Sequence, residues 1–329
     1  MERYIQAFVD GYSGYARYLV HEIANPGWHN YFYALVGLSL AVWGLELLFP
    51  WRRDQPVLRQ DFFLDLFYLF FNFFLFSLVG YNAVSNVGVL IVSDALAQLG
   101  IRNLVAINIQ SWSVWAQLFT LFIVRDFVQW NVHRLLHRVP WMWTFHKVHH
   151  SVEQMGFAAH LRYHWMETVI YRVFEYIPLA MIGFGISDFF VVHLFTLAVG
   201  HFNHANINLP LGPLRYLFNS PQMHLWHHAE VMPDDHPTGI NYGITLSIWD
   251  YLFGTAHEPY VDSHLKLGFP GLDTFPRTLT GQLGLSLQPT SQPHEPKTTS
   301  LETADLPATN TGVAHTRFGP LRARTASAG

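Results

Sequence analysis

The sequence predicts an all-α protein, a polytopic bundle of membrane helices with a histidine-rich helical cap on its cytosolic side. Half of the residues are apolar and only 13% are charged, which is unusual for a soluble protein. Several apolar stretches approach the length that crosses a bilayer. Fourteen of the 20 histidines fall between His133 and His236, where apolar segments give way to mixed sequence.

The first two membrane helices are predicted at residues 31–49 and 62–84. The first segment carries a single charge, Glu46, and the second contains the aromatic run FFNFFLF. The loop between them, residues 51–61, holds three arginines, so the positive-inside rule places it in the cytoplasm. Residues 86–101 fit either an interfacial helix or part of a broken span.

Two further apolar segments return the chain to the same side. A third span, residues 114–132, is interrupted by Arg125 and Asp126 and delivers His133 to the cytoplasmic face. Residues 168–202 predict two apolar helices joined by the turn-like GFGISD. This hairpin brings the second half of the histidines to the first half.

Composition excludes several classes of protein. There is no cysteine, which removes disulfides, cysteine-ligated zinc, iron–sulfur clusters and thiolate-ligated haem. The net charge of −4 decides little, but the lack of a basic run or stripe argues against a nucleic-acid partner. Charges at Glu2, Arg3 and Asp10, with no short apolar core after them, indicate no removable signal peptide.

These observations predict four regions along the chain. The Pro-, Thr- and Ser-rich C-terminal region lacks apolar periodicity, so it is predicted to be disordered. The regions are an N-terminal interfacial segment (1–30), transmembrane helices (31–112), a catalytic domain (113–272) and a disordered tail (273–329).

Three histidine segments have the spacing of metal ligands. Residues at i, i+3 and i+4 share one face of a helix, so each segment can aim its imidazoles at a common point. Eight such histidines exceed what one metal ion uses, which favours two metals. Two more histidines at the edges of the apolar hairpin extend the set to ten. The predicted ligands are His133, His137, His146, His149, His150, His164, His204, His224, His227 and His228.

Other histidines are interpreted as structural. His160, His193 and His201 are predicted to be hydrogen-bonded neighbours, and His236 to lie at the surface. Metal-bound imidazole usually donates its second N–H to a carboxylate or carbonyl. The nearby acidic residues that fit this supporting role are Asp126, Glu167 and Asp250.

The histidine pattern resembles the fatty acid hydroxylase/sterol desaturase superfamily of integral-membrane di-iron enzymes. The resemblance runs from about residue 122 to 255 and includes HxxxH, HxxHH and HxxHH in that order, together with FNHANINLPLGPLRYL, SPQMHLWHH and NYGITLSIWDYLFGT. It implies transmembrane helices below a cytosolic cap that holds the metals, with the eight box histidines as ligands and His164 and His204 as the additional pair. Trp165 departs from the proline that many relatives have after that histidine.

The resemblance implies a lipid oxygenase that uses O₂ and two external electrons to hydroxylate or desaturate an unactivated C–H bond. Two irons are the expected cofactor, with zinc substitution in a purified sample as a variant. No Gly-rich dinucleotide motif is present, so a ferredoxin or a cytochrome b5-type system is the expected electron donor. Sterol, fatty acyl, alkylglycerol and carotenoid substrates stay open. Trp141, Trp143 and Trp226 are predicted either to line the lipid channel or to form an interfacial belt.

Two other classes compete with the oxygenase. A zinc peptidase needs HExxH, but residue 134 is Arg. A histidine-rich metal transporter or haem-binding membrane protein would place its ligands on facing spans. In this chain the histidine segments follow the spans and alternate with Arg134, Arg138 and Lys147.

Overall fold

The computed structural model describes residues 1–27, 30–100, 107–259 and 265–285. These residues are helical, with three isolated β-bridges, so the predicted all-α class is confirmed. The α-helices are α1 (Glu2–Ala24), α2 (Tyr31–Leu48), α3 (Phe62–Phe70), α4 (Asn82–Gln98), α5 (Val114–Arg138), α6 (Pro140–His150), α7 (Trp165–Tyr171), α8 (Ile177–Ile182), α9 (Ile186–His204), α10 (Pro221–His227), α11 (Ile248–Leu252) and α12 (Leu279–Leu283).

Local sequence explains where several of these helices begin. The side chains of Asn30, Ser113 and Ser220 accept hydrogen bonds from the first turns of α2, α5 and α10. Such caps satisfy amide groups that have no partner within the helix. Pro140 stands in the first turn of α6, where its missing N–H is harmless. The chain therefore turns sharply between α5 and α6, and the histidines at the end of α5 face those on α6.

Two long helical runs contain π-helical segments. Residues Phe71–Leu75 and Ser77–Tyr81 connect α3 to α4, and Arg172–Tyr176 connects α7 to α8. Gly80 has φ 130° and produces a kink before α4. π-Helical turns widen a helix locally and occur often at functional sites.

Two helical stretches of the described chain are long and apolar enough to cross a bilayer, Tyr31–Leu48 and Ser77–Gln98. The first coincides with the helix predicted at residues 31–49. The second starts within the predicted span 62–84 and continues through residues 86–98, which form part of one helix rather than a separate interfacial segment. Residues 114–132 and 168–202 are also helical, in the predicted order with a turn at 183–185.

The helices of the predicted hairpin and of the N-terminal half share a core. Leu35, Leu69 and Leu197 are almost completely buried in one apolar cluster. Ser39 and His201 are also in contact, with Oγ and Nε2 3.1 Å apart. These contacts align α2 with α9, which ends at the histidine-rich region.

The ordered chain continues past the predicted boundary at residue 273. Residues 279–283 form α12, and Gln282 is buried where it accepts a hydrogen bond from Tyr68. The remainder of the predicted tail, residues 286–329, lies outside the described residues.

Candidate metal centre

Nine of the ten predicted ligands converge into two groups of buried imidazoles. Within each group, one ligand atom per histidine lies within 4.8 Å of all the others. The five-histidine group consists of His133, His137, His146, His150 and His227. The four-histidine group consists of His149, His204, His224 and His228.

The helical spacing predicted from the sequence produces this division. On α6, His146 and His150 lie one helical turn apart and face the five-histidine group, whereas His149 faces the other. On α10, His227 faces the five-histidine group, whereas His228 at the C-cap faces the four-histidine group. Each HxxHH segment therefore contributes to both groups, which places the groups side by side.

Distances within the groups match the coordination shell of a metal ion. Imidazole nitrogens bind such ions at about 2.1 Å, so neighbouring ligand nitrogens are about 3 Å apart and opposite ones about 4.2 Å. His133 Nε2 lies 3.1 Å from His146 Nε2 in the first group. His204 Nε2 lies 2.8 Å from His224 Nε2 in the second.

The second ring nitrogen of four ligands is held by main-chain carbonyl oxygens. Nδ1 of His133 and of His227 lie 2.7 Å and 2.8 Å from the carbonyl oxygens of Tyr242 and Ile240. Nδ1 of His149 and of His204 lie 3.2 Å and 2.7 Å from those of Arg162 and Gly200. A carbonyl can only accept, so each Nδ1 carries the proton.

These rings are neutral and present a lone pair at Nε2. Burial lowers the pKa of His133 to about 4, and burial with neighbouring imidazoles lowers the pKa of His149 well below its ordinary value. Neutral His149 and His204, both protonated at Nδ1, face each other with unprotonated Nε2 atoms 3.3 Å apart. Two facing lone pairs cannot hydrogen-bond to one another, and a shared cation resolves this arrangement.

Unsatisfied nitrogens in the five-histidine group lead to the same conclusion. Within the described part of the chain, Nε2 of His150 and of His227 are buried without a hydrogen-bond partner. A buried polar atom without a partner costs free energy. The donor set is all imidazole, which suits zinc, iron, copper or nickel. Both groups therefore fit a bound transition metal, as the sequence predicted.

Two of the three predicted supporting carboxylates act on the ligands. Glu167 Oε2 lies 2.9 Å from His146 Nδ1. Asp250 instead accepts hydrogen bonds from the main-chain N–H groups of Tyr242 and Gly243, which fixes the segment whose carbonyl holds His133. Asp126 accepts from Trp249 Nε1 and is a further step removed.

A buried ion-pair network supports the segment that holds His149. Arg162 Nη1 lies 3.1 Å from both Asp61 and Asp65, and Arg59 Nη2 lies 2.7 Å from Asp65. These residues connect the arginine-rich loop to the backbone at residue 162. The arginine-rich loop therefore also has a structural role, which its charge alone did not predict.

Gly200 permits a close approach beside the four-histidine group. A Cβ atom at this position would collide with the His160 ring. His160 in turn packs against His204, with ring centroids 5.0 Å apart. The interpretation of His160 and His201 as hydrogen-bonded neighbours is confirmed, because their Nδ1 atoms are 2.9 Å apart.

The structure does not bring His164 into either group. It is the N-cap of α7, where its Nδ1 accepts from the Met166 amide, and its Nε2 lies 3.2 Å from the Leu283 carbonyl. The ring also stacks on Phe145. His193 contacts the Tyr31 hydroxyl, and His236, half-buried rather than fully exposed, contacts the Gly254 carbonyl.

A cavity of about 370 Å³ leads to the histidines. The histidines of both groups that line it are His133, His146, His149, His204 and His224. Away from them its wall includes residues of helices α1, α2, α5, α7 and α9 and of the π-helical segments. The predicted tryptophans do not line it: Trp143 packs on His137 and His150, and Trp141 is half exposed.

The fold and site define an all-helical protein whose two histidine groups fit a pair of metals at one end of a cavity. Residues 118–255 match the family model for fatty acid hydroxylases. Over this region the chain is similar to fatty acid hydroxylases, and the relatives described next are lipid-acting enzymes.

Similar proteins act on different lipids. The ornithine lipid hydroxylase OlsE of Rhizobium tropici is 32% identical over 160 residues, 49% of this chain and 47% of OlsE. Human alkylglycerol monooxygenase is 33% identical over 138 residues, 42% of this chain and 30% of the relative. The rice very-long-chain aldehyde decarbonylase GL1-10 is 25% identical over 263 residues, 73% of this chain and 81% of the relative.

The chain thus spans about half the length of OlsE and about a third of the alkylglycerol monooxygenases. No solved structure matches it.

Proposed function

We propose that this protein is a membrane-embedded di-iron oxygenase that hydroxylates or desaturates a C–H bond of a lipid, using O₂ and external electrons. The observation that carries the proposal is the pair of buried histidine groups, with Nε2 lone pairs aimed inward, at one end of a cavity. Relatives that are lipid hydroxylases and monooxygenases support the same reaction class.

Hydrogen bonds to the second ring nitrogens orient the proposed ligands. The nine imidazoles described above are the proposed ligands, divided five and four. Iron held by them would supply O₂ activation, since six-coordinate ions with four or five protein ligands keep positions open. The carbonyls of residues 162, 200, 240 and 242 fix the ring orientations, and Glu167 orients His146.

The cavity positions the substrate and limits access of water. Its lining includes apolar side chains such as Phe74, Leu161 and Leu197, against which an acyl chain can pack. The other end of the cavity reaches α1, through Tyr15 and Tyr18. A lipid that enters between the helices would have one segment beside the histidines, where its C–H bond is oxidised.

The cap with the histidines is proposed to face the cytoplasm, where a ferredoxin or cytochrome b5-type donor delivers electrons. The arginines of the 51–61 loop support this orientation, because positive loops stay in the cytoplasm. The relatives do not favour a metal transporter or haem carrier.

The proposal is tested by metal analysis and lipid mass spectrometry. Purified protein is expected to contain about two irons per chain and to consume O₂ when given reductant and lipid. Cells that express it should accumulate a lipid that has gained one oxygen atom or lost two hydrogens, and cells that express His228→Ala should not. A haem absorption band, or a lipid profile identical in both cell lines, would reject the oxygenase.

A further inference from the structure

The charged residues that line the cavity are paired, with one exception. Arg125 Nε lies 2.5 Å from Glu175, and both side chains are buried. Glu167 contacts the ligand His146. The remaining charged residue of the lining is Arg172, for which the described residues provide no ion pair. Among the described lining residues, Arg172 is therefore the Arg or Glu side chain that contacts neither an opposite charge nor a histidine.

The guanidinium of Arg172 lies over an aromatic ring. Its Cζ lies 5.0 Å from the ring centroid of Tyr81. Such stacking engages the face of the guanidinium and leaves the N–H groups at its edge available, and these match the geometry of carboxylate and phosphate. Arg172 is half-buried, so its charge is only partly hydrated. An arginine in this setting gains most from an anionic ligand.

The backbone at both sides of this arginine is π-helical. Arg172 begins the segment Arg172–Tyr176, and Tyr81 ends the segment Ser77–Tyr81. Both segments contribute residues to the cavity wall. Glu167, which touches a histidine ligand, lies five residues before Arg172, about 7 Å along the helix. The arginine is thus displaced from the histidines along the cavity.

Polar groups from α1 surround the same end. Burial raises the pKa of the Tyr15 hydroxyl, and a hydrogen bond with Ser77 and the charge of Arg172 partly offset this. Tyr18 lies next to Tyr15, with ring centroids 5.8 Å apart, and also lines the cavity. The Tyr15 hydroxyl donates to the Phe74 carbonyl at 3.4 Å, so Tyr18 and Ser77 supply the hydroxyls that can donate to an anion held by the arginine.

We propose that Arg172 binds the anionic group of the lipid substrate, a carboxylate or a phosphate, at a fixed distance along the cavity from the histidine groups. That the bound lipid is the substrate rests on the proposed function. That the site binds an anion rests on the positions of Arg172, Tyr81 and Tyr15. An arginine without a carboxylate partner in an apolar helical region is costly, and such residues commonly mark a ligand site. The anchor would also determine which carbon of the chain reaches the metals.

Three single-chain lipids with different head groups test this site. Hexadecanoic acid, hexadecyl phosphate and hexadecanol share an unbranched saturated carbon chain of equal length, so differences in their affinity report on the head group. Binding is measured on purified full-length protein in nanodiscs of neutral lipid, with protein-free nanodiscs as the blank. Wild-type protein is expected to bind at least one anionic probe about tenfold or more tightly than the alcohol. Preference for the acid or for the phosphate identifies the anion.

Variants of Arg172 complete the test. Arg172→Gln should reduce the discrimination between anionic and neutral probes to within about twofold, and Arg172→Lys should keep part of it. Arg215 is the matched control, because it stacks on Tyr216 at 4.9 Å but lies outside the cavity. Arg215→Gln should therefore behave as wild type.

The proposal is overturned if wild-type protein does not discriminate between the probes, or if Arg172→Gln discriminates as well as wild type. Hexadecanol binding and metal content serve as folding controls for each variant. Because binding requires neither O₂ nor turnover, this site can fail while the oxygenase proposal holds. The oxygenase proposal can likewise fail while the anion site holds.

Discussion

The two histidine groups are built by different parts of the chain. In the five-histidine group, His133 and His227 hydrogen-bond to the carbonyls of residues 242 and 240, which belong to one irregular segment. In the four-histidine group, His204 bonds to the carbonyl of Gly200 in its own helix, and His149 to that of Arg162. One group depends on a loop held by Asp250, and the other on close packing around Gly200.

This difference means that the groups can be perturbed separately. A loop segment is positioned by a small number of hydrogen bonds, so one carboxylate can determine its geometry. A helical carbonyl is fixed by the helix, and only a change that displaces the helix or its neighbours will move it. A variant near one group should therefore weaken metal binding in that group and leave the other group unchanged.

The largest effect is expected from removal of a ligand. His149→Ala should abolish lipid oxidation and lower bound metal, because the ring is one of four in its group and adjoins both. Metal affinity of the four-histidine group should fall more than about 100-fold, beyond the effect of outer contacts. Metal analysis and product assays check this, with His236→Ala as the control outside both groups. Unchanged metal content and activity in His149→Ala would contradict the assignment.

Asp250→Asn is expected to weaken the five-histidine group selectively. Both carboxylate oxygens accept from donors, including the amides of Tyr242 and Gly243, so the amide group of Asn would face a donor in either orientation. Metal affinity of that group should fall about 10- to 100-fold. Stepwise chelator titration would show one metal released early.

The exposed Asp235 provides the control for this prediction, since its oxygen lies 3.1 Å from His236 away from both groups. Asp235→Asn should leave both metals in place. Equal weakening of the two groups by Asp250→Asn would show that they are not independent.

Gly200→Ala is expected to disturb the four-histidine group. The added methyl group would displace His160 and, through it, His204. Overpacking of this kind costs about 1–3 kcal/mol. Thermal unfolding and metal content measure the two consequences. Gly37→Ala, in the interior of α2 with open space around its Cβ, should not lower either value. A wild-type metal content in Gly200→Ala would refute the role of the close packing.

The smallest effect is expected from Glu167→Gln. Burial raises the pKa of Glu167 well above its ordinary value, so the substitution removes little charge, and the amide oxygen of Gln can still accept from His146 Nδ1. The affinity of the five-histidine group should fall by no more than about tenfold. Glu153→Gln, a change in an exposed ion pair, is the control. A loss as large as that of Asp250→Asn would show that charge, rather than orientation, is the contribution of Glu167.

Sequence periodicity predicted much of this centre. The i, i+3, i+4 spacing picked out eight of the nine histidines that converge, and the hairpin argument added His204. His164 has no such spacing, and its Nδ1 is used to cap α7. The spacing of ligands does not specify which carbonyl each Nδ1 will meet, so the segment near residue 242 became apparent only in three dimensions.

The cavity could not be predicted in the same way. Its lining brings Arg125 of α5 against a segment far away in sequence, which carries both Arg172 and Glu175. They stand in π-helical turns, which shift side chains away from the positions that a regular 3.6-residue period assigns. A pattern analysis that assumes regular helices therefore misplaces them.

The use of main-chain carbonyls to orient four ligand rings has an evolutionary consequence. A carbonyl is present whatever the side chain, so mutation at residues 162, 240 or 242 cannot delete the hydrogen-bond acceptor itself. Most single amino-acid substitutions at these positions therefore leave the acceptors that orient the imidazoles in place. The side chains of the cavity wall can change independently. A scaffold of this kind can acquire new lipid specificities without rebuilding its reactive core.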